Sequence, residues 1–247
     1  LWHFITEPQE GVGSNNWVVH GSNTDTGMPL LANDPHLSFQ IPALWYFAHI
    51  KGDTLDVIGA TFPGLPLVVI GHNDKLAWGL TNVGPDVQDL VLERFDPNDP
   101  HKVEFQGAFE DVTIRREVIE VKGGKPVEVE VRETRHGPIV TDYFPGVGAE
   151  VAMRWTALES TDDTAIAFAR LNMADSVEEG MAVLGDYVAP AQNFVMADVE
   201  GHIGWIAAGR IPIRPDGDDG SRPVPGWDGE HEWLGYLPLE HLPQSYD

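Results

Sequence analysis

Cysteine is absent from the 247 residues, which excludes disulfides, thiolate metal sites and a cysteine nucleophile together. Basic side chains are scarce: 15 Lys and Arg stand against 39 Asp and Glu, a formal net charge of −24. No basic run occurs, so neither a nucleic-acid backbone nor an anionic membrane surface is an expected partner. Long apolar runs are missing too. The longest, GLPLVVIG at residues 64–71, is strand-sized and far short of the roughly 18 to 20 residues of a membrane-spanning helix. Neither an initiator Met nor a signal peptide stands at residue 1, and the sequence runs from LWHFITEPQ to LPQSYD, so a piece of a longer precursor is expected.

What is present is a globular composition, 42% hydrophobic, enough for one large domain or two small ones. Short runs rich in Val, Ile, Leu and aromatics, bounded by Gly, Pro, Asn and Asp, predict strands at NWVVHG, LWYFAHI, TLDVIGATF, PLVVIGH, LAWGLT and VQDLVLERF. Residues 109–134 predict a hairpin turning at Gly123-Gly124, with one wet face because Val alternates with charge in its second half. Two helices are expected later, one in TDDTAIAFARLNMA and one in DSVEEGMAVLGDY. The second opens on Ser176 with Glu179 three residues on, a capping box, and carries Val177, Met181 and Leu184 on one face. Strands return at NFVMADVEGHIGWIAAG, which points to sheet packed on helix in a layered α+β domain. The Pro-, Gly- and Asp-dense RPDGDDGSRPVPGWDGEHEW reads as an ordered surface loop or linker.

The stretch EGVGSNNWVV carries the chemistry. A serine hydroxyl needs a base, and no G-x-S-x-G elbow surrounds Ser14. Cleavage of the Gly13-Ser14 bond would create one, because a free α-amino group has a pKa of about 7.7 to 8.0. It would sit on the same residue as the hydroxyl, one bridging water away. Gly13 leaves the carbonyl before Ser14 open to attack. A plain turn feeding a strand accounts for the same residues.

GSNNWVVHG, LLANDPHL, IGATFPGLPLVVIGHNDKLAWGLTNVGPDVQDLV, RETRHGPIV and FVMADVEGHIGWIAAGRIPIR recur in order over about residues 13–226. Together they resemble the penicillin acylase (penicillin amidase) family of N-terminal nucleophile hydrolases, which also holds acyl-homoserine lactone and cephalosporin acylases. The resemblance implies part of a four-layer αββα sandwich, with residues 1–13 ending a spacer. Residues 14–247 would then be the N-terminal part of the large chain, with a β-rich insertion at about 100–155. It implies amide hydrolysis through an acyl-enzyme on Ser14, cleavage between Gly13 and Ser14, and His36 helping to hold the serine. The backbone amide of Asn82 or Val83 would form half of an oxyanion hole, worth about 3 to 4 kcal/mol in comparable enzymes.

The resemblance also implies structural calcium at Asp86, Gln88 and Asp89, with a carbonyl near Gly220 or Ser221; a hard cation taking six to eight oxygens suits such a loop. No organic cofactor is implied. Partners implied are the small chain of the same precursor, the rest of the large chain and a small N-acyl substrate. The setting implied is periplasmic or extracellular. The other oxyanion-hole half, an Asn side chain, belongs to a family motif beyond PQSYD, and neither Asn193 nor Arg214 replaces it. Trp45 and Phe62 are the aromatic candidates for an acyl pocket, ahead of Phe47 and Trp78. His72, His101, His136 and His202 share no H-x-x-x-H spacing, and His136 matches a structural turn. The rival readings are an inactive fragment, a binding module, and a Ser-His-Asp hydrolase that uses His36.

Overall fold

The computed structural model describes residues 13–37, 40–143 and 147–247; residues 1–12, assigned above to the spacer, lie outside them. The chain forms two compact units. One takes Asp86–Glu159 and Ile211–Tyr236; the other takes the residues up to Pro85, Ser160–Arg210 and Leu237–Asp247.

Among the described residues the second unit has nine strands: β1 (Gly13–Val19), β2 (Leu30–His36), β3 (Tyr46–Lys51), β4 (Asp56–Thr61), β5 (Ile70–His72), β6 (Leu76–Asn82), β7 (Gln192–Asp198), β8 (Ile203–Ala208) and β9 (Gln244–Tyr246). Strands β9-β8-β7-β6-β5-β4-β3 form one antiparallel sheet of seven, in that order. Its two sides are set by the period of two along β6 and β7. Trp78 pairs with Met196 and Leu80 with Phe194, whereas Gly79 pairs with Val195.

Helices α1 (Thr164–Leu171) and α2 (Val177–Val183) cover the Trp78–Met196 side. A Cβ on Gly180 of α2 would lie 2.7 Å from Met196 Sδ and 3.1 Å from Leu76 Cδ2, and one on Gly204 of β8 would lie 2.4 Å from Val177 Cγ1. Helix and sheet approach this closely because both positions lack side chains. Helix α2 starts where expected, with Ser176 Oγ accepting from Glu179 N at 3.2 Å. Glu179 reaches one residue further back than a standard capping box, accepting from Asp175 N at 2.9 Å.

On the other side lies the β1–β2 hairpin. One amide, that of Asn33, ties it to β6 as a strand would. Strand β5 ends opposite Trp78, leaving Leu80 of β6 without a strand partner on that side. Asn33 of β2 fills the gap: its Oδ1 accepts from Leu80 N at 2.8 Å and its Nδ2 donates to Leu80 O at 3.1 Å and to Asn15 O at 3.0 Å. Both backbone groups are thereby paired. A Cβ on Gly79 would lie 2.9 Å from Asn33 Cβ, so the glycine makes room for this contact. The layers of this unit are therefore helices, sheet and hairpin. The buried Asn172 after α1 repeats the device, accepting from Val68 N and donating to Val68 O, both at 2.8 Å.

The other unit is β-rich. Gln88–Glu93 pairs antiparallel with Glu150–Trp155 and parallel with Val224–Pro225 around Val91, Ile139 and Ala152. The expected hairpin is present as Thr113–Ile119 against Val127–Thr134, its turn relieved by Gly123 at φ +76°. More than one face is wet: Val118, Ile119 and Val127 near the turn are about half exposed. The Pro- and Gly-dense segment is largely irregular as expected, yet it contributes a core residue, because Trp233 is buried.

Candidate active site

Strands β1 and β2 pair so that Gly13 stands opposite His36 and Ser14 opposite Pro35. Pro35 has no N–H to give the ladder. Ser14 is half-buried, and its hydroxyl donates to the Gly13 carbonyl oxygen at 2.6 Å, which holds nucleophile and candidate scissile carbonyl against one another. His36 is exposed and turns to Asp34, with Nε2 and Oδ2 2.7 Å apart. Among the described residues no hydrogen bond joins His36 to Ser14, as a Ser-His-Asp relay would require.

Ser14 lines a cavity of about 470 Å³ at the end of β6 that is also lined by Leu80, Asn82 and residues of α1. Leu37, Leu44, Leu65, Ile70 and Leu80 make it apolar, with Phe168 of α1 and Tyr187 as aromatic walls. Trp45 and Phe62 both line it and stack with ring centroids 4.6 Å apart and planes 26° apart. Phe47 and Trp78 do not line it: Phe47 is 82% exposed on β3, and Trp78 is buried with its indole N–H on Val69 O at 2.9 Å. Burial, with a small contribution from the charge of Asp162, raises the Tyr187 phenol far above its ordinary range, and its hydroxyl donates to Pro190 O at 2.6 Å. A larger groove of about 690 Å³, at the other end of β6 around His72, Asp74 and Asp198, does not include Ser14.

Asn82 ends β6 at the cavity and Val83 follows it. The Val83 N–H points at Ala191 O at 3.4 Å. Around Asn82, Gln192 Nε2 donates to its Oδ1 at 2.6 Å and Asn193 Nδ2 donates to its carbonyl at 3.3 Å. Asn16 of β1 donates to Asn193 O at 3.1 Å. This run of side-chain amides, with Asn33 beside it, fixes the hairpin that carries Ser14 against the end of β6. Sequence reasoning singled out neither Asn16 and Asn33 nor Gln192. The paired Asn15-Asn16 beside Ser14, polar in an otherwise apolar strand, was the available signal.

In the other unit, Asp86, Gln88, Asp89 and Gly220 do come together. A Cβ on Gly220 would lie 2.7 Å from Asp86 Oδ2, 2.8 Å from Asp89 Oδ1 and 2.9 Å from Arg214 Nη2, so two carboxylates and a guanidinium already meet at this one backbone point at φ +76°. Gln88 N donates to Asp86 Oδ1 at 3.1 Å. Asp89 is buried and receives Arg214 Nε at 3.1 Å, Arg214 Nη2 at 2.8 Å and Trp233 Nε1 at 2.5 Å. The donors are hard oxygens of the kind calcium takes and fit that ion in kind, with Arg214 sharing Asp89. Among the described residues no group of three or more His, Cys, Asp or Glu is arranged to hold a metal.

The penicillin amidase family profile matches residues 2–247, essentially the whole chain. The chain belongs to the penicillin amidase family. Penicillin acylase 2 proenzyme of Pseudomonas sp. (strain SE83) is 39% identical over 96% of this chain and 30% of its own length. Acyl-homoserine lactone acylase QuiP of Pseudomonas fluorescens (strain Pf0-1) is 37% identical over 92% of this chain and 28% of its own length. The thermostable penicillin G acylase of Alcaligenes faecalis superposes with a TM-score of 0.82 at 27% identity, covering 94% of this chain and 42% of that one. The chain thus spans less than a third of the length of these curated relatives and has the N-terminal nucleophile hydrolase fold. No helix among the described residues of this penicillin amidase family member is long and apolar enough to cross a membrane.

Proposed function

We propose that the protein carrying this chain is an N-acyl amide hydrolase whose nucleophile is Ser14, freed as an N-terminus by self-cleavage of the Gly13-Ser14 bond. One observation carries the reading: the Ser14 hydroxyl, in the lining of an apolar cavity, rests on the Gly13 carbonyl. In the uncut chain that hydroxyl attacks the Gly13 carbonyl carbon, the bond to Ser14 N breaks, and water hydrolyses the resulting ester. The Ser14 amino group then serves as base for the same hydroxyl. In turnover Ser14 Oγ attacks the substrate carbonyl, the amine leaves with a proton from the Ser14 ammonium, and a water activated by the regenerated amine releases the acid.

Asn82 is the favoured backbone donor to the oxyanion, because the Val83 N–H is already directed at Ala191 O. His36 keeps the role of a positioning residue at the position facing Gly13. The acyl group enters the cavity, where Trp45 and Phe62 supply its aromatic wall; the names of the relatives support penicillins and acyl-homoserine lactones as substrate classes. The small chain and the rest of the large chain complete the site. Calcium in the intact protein would be held by Asp86, Asp89 and the carbonyls of Gln88 and Gly220, and would supply structural charge compensation there. Export to the periplasm or medium is proposed with it and is checked by activity in the corresponding cell fractions.

The test is hydrolysis of phenylacetyl, hexanoyl and longer acyl amides, including acyl-homoserine lactones, by the full-length protein and by its Ser14→Ala variant. Release of amine by the wild type, falling at least a thousandfold in Ser14→Ala, is expected, in line with the loss on removing a nucleophile. Equal activity in the two would sink the reading.

A further inference from the structure

Hydrogen bonds from three elements converge on Asn193 of β7. Trp205 Nε1 of β8 donates to Asn193 Oδ1 at 3.0 Å. An indole N–H can only donate, so it fixes which end of the carboxamide is oxygen. The other end, Nδ2, donates to the Asn82 carbonyl oxygen at 3.3 Å. The Asn193 carbonyl oxygen accepts from Asn16 Nδ2 at 3.1 Å, and Asn16 stands two residues after Ser14 on β1. Asn193 is thus tied to the nucleophile's strand through its backbone and to the end of β6 through its side chain.

Strand alternation connects this to the oxyanion. In an antiparallel sheet the N–H and C=O of one residue leave on the same edge of the strand, and every second residue shares that edge. Leu80 sends both groups to Asn33, away from β7, so Asn82 sends both of its own the same way. Val83 follows the alternation, its N–H turning back to Ala191 O at 3.4 Å. On Asn82 the carbonyl is held by Asn193, and the N–H is the oxyanion donor proposed above. The Asn82 side chain is held as well, by the buried Gln192 opposite it on β7, whose Nε2 donates to Asn82 Oδ1 at 2.6 Å.

From this arrangement we infer that Asn193 is a positioning residue for acyl transfer: it sets the oxyanion donor at Asn82 against Ser14, and so acts on the tetrahedral intermediate rather than on the bound acyl group. The inference rests on the acylase reading above for the reaction served. Asn193 is not itself a donor to the oxyanion, since its Nδ2 is directed at Asn82 O. A backbone donor is worth about a hundredfold or more when it is aimed where charge develops, and a misplacement of about 1 Å can cost about a hundredfold. Ground-state binding does not depend on that aim.

Two substitutions separate this role from a general loss of structure. Asn193→Ala removes the carboxamide and leaves the backbone carbonyl that receives Asn16. Trp205→Phe keeps an aromatic ring and takes away the N–H that orients the Asn193 amide.

The experiment uses the full-length protein, with rates counted per cleaved chain from intact mass. It measures kcat and KM for hexanoyl p-nitroanilide and the inhibition constants of two probes. Pentylboronic acid forms a tetrahedral adduct on a serine hydroxyl, whereas 1-hexanol brings an alkyl chain and no carbonyl. Asn193→Ala is expected to lower kcat at least tenfold with KM within threefold, and to weaken the boronic acid at least tenfold with hexanol within twofold. Trp205→Phe is expected to move kcat and the boronic acid at least threefold, and to add less than twofold to Asn193→Ala, because it acts through that amide. Should Asn193→Ala remain uncut, Trp205→Phe decides by the same two ratios. Boronic acid and hexanol weakened equally, a change confined to KM, or full additivity of the two substitutions overturns the inference while leaving an active acylase. A wild type that hydrolyses no acyl amide removes the acylase reading, and the inference with it.

Discussion

The smallest feature with consequences is a primary amide. Asn33 does for Leu80 what a neighbouring strand does elsewhere in the sheet, pairing its N–H and C=O at 2.8 and 3.1 Å. Replacing it by Ala strands two backbone groups and removes one of the ties between the Ser14 hairpin and the sheet, leaving those of Asn16. Each buried group left unpaired costs about 1 to 3 kcal/mol. Asn33→Ala is therefore expected to lower stability by about 2 kcal/mol or more in chemical denaturation and to slow chain cleavage. Gly79→Ala meets the same contact from the other side and is expected to cost about 1 to 3 kcal/mol through overpacking. Unchanged denaturation midpoints in both variants would show that the hairpin is held by something else. None of this was legible in the sequence, because Asn33 and Leu80 are 47 residues apart and an Asn in a strand carries no periodic signal. Ser176 was legible because its cap partner is three residues away.

At the scale of elements, the buried link in the β-rich unit is His136. It lies in the turn after Val127–Thr134, with Nδ1 2.8 Å from Glu93 Oε1 of the Gln88–Glu93 strand and Nε2 2.6 Å from Glu232 Oε1 of the irregular segment. Glu93 also accepts from Thr134 at 2.6 Å, and Arg154 holds the other oxygen of Glu232 at 3.0 Å. Burial alone pulls the imidazole pKa down, but the hydrogen bonds and charges of Glu232 and Glu93 outweigh it and hold it above its ordinary value. The hydrogen bond from His136 does most to bring Glu232 down to about 2, against the opposing effect of burial. The raised imidazole contributes stability that is complete below about pH 6.5 and is lost as pH rises through the folded-state pKa. Glu232 contributes above about pH 4.5 and loses its share as pH falls towards 2.

Melting temperature measured from pH 4 to 9 is expected to decline on the alkaline side of 6.5, with His136→Gln abolishing that decline. Removing one partner of such a buried pair costs about 3 to 5 kcal/mol. A variant that keeps the wild-type pH profile would contradict the assignment. RHGPI identified the turn, but His136 could not be joined to glutamates 43 and 96 residues away from pattern alone. The hairpin around Gly123-Gly124 was readable because alternation and turn chemistry are local. Its wetness on both sides near the tip was not, because burial depends on what packs there.

For the whole molecule, 39 acidic side chains stand against 15 Lys and Arg, and two of the carboxylates, Asp86 and Asp89, meet beside Gly220. Arg214 compensates Asp89 in part, and calcium is expected to compensate the rest in the intact protein. Its melting temperature should therefore fall by several degrees when calcium is replaced by a chelator, and Asp86→Asn should erase the difference. Identical melting with and without calcium in the wild type would remove the ion from the account. The broad architecture was accessible from the sequence through the resemblance, whose blocks fall on the Ser14 hairpin, on strands of the seven-stranded sheet and on the β-rich unit. The division into two units was not, because its second boundary brings 211–236 back to join 86–159.

The central claim concerns one peptide bond. N-terminal sequencing and intact mass of the full-length protein after purification test it most directly. The account predicts a large chain that begins Ser-Asn-Asn-Trp, with the Ser14→Ala variant remaining a single uncut chain. An amidase-active protein whose Gly13-Ser14 bond is intact would contradict it.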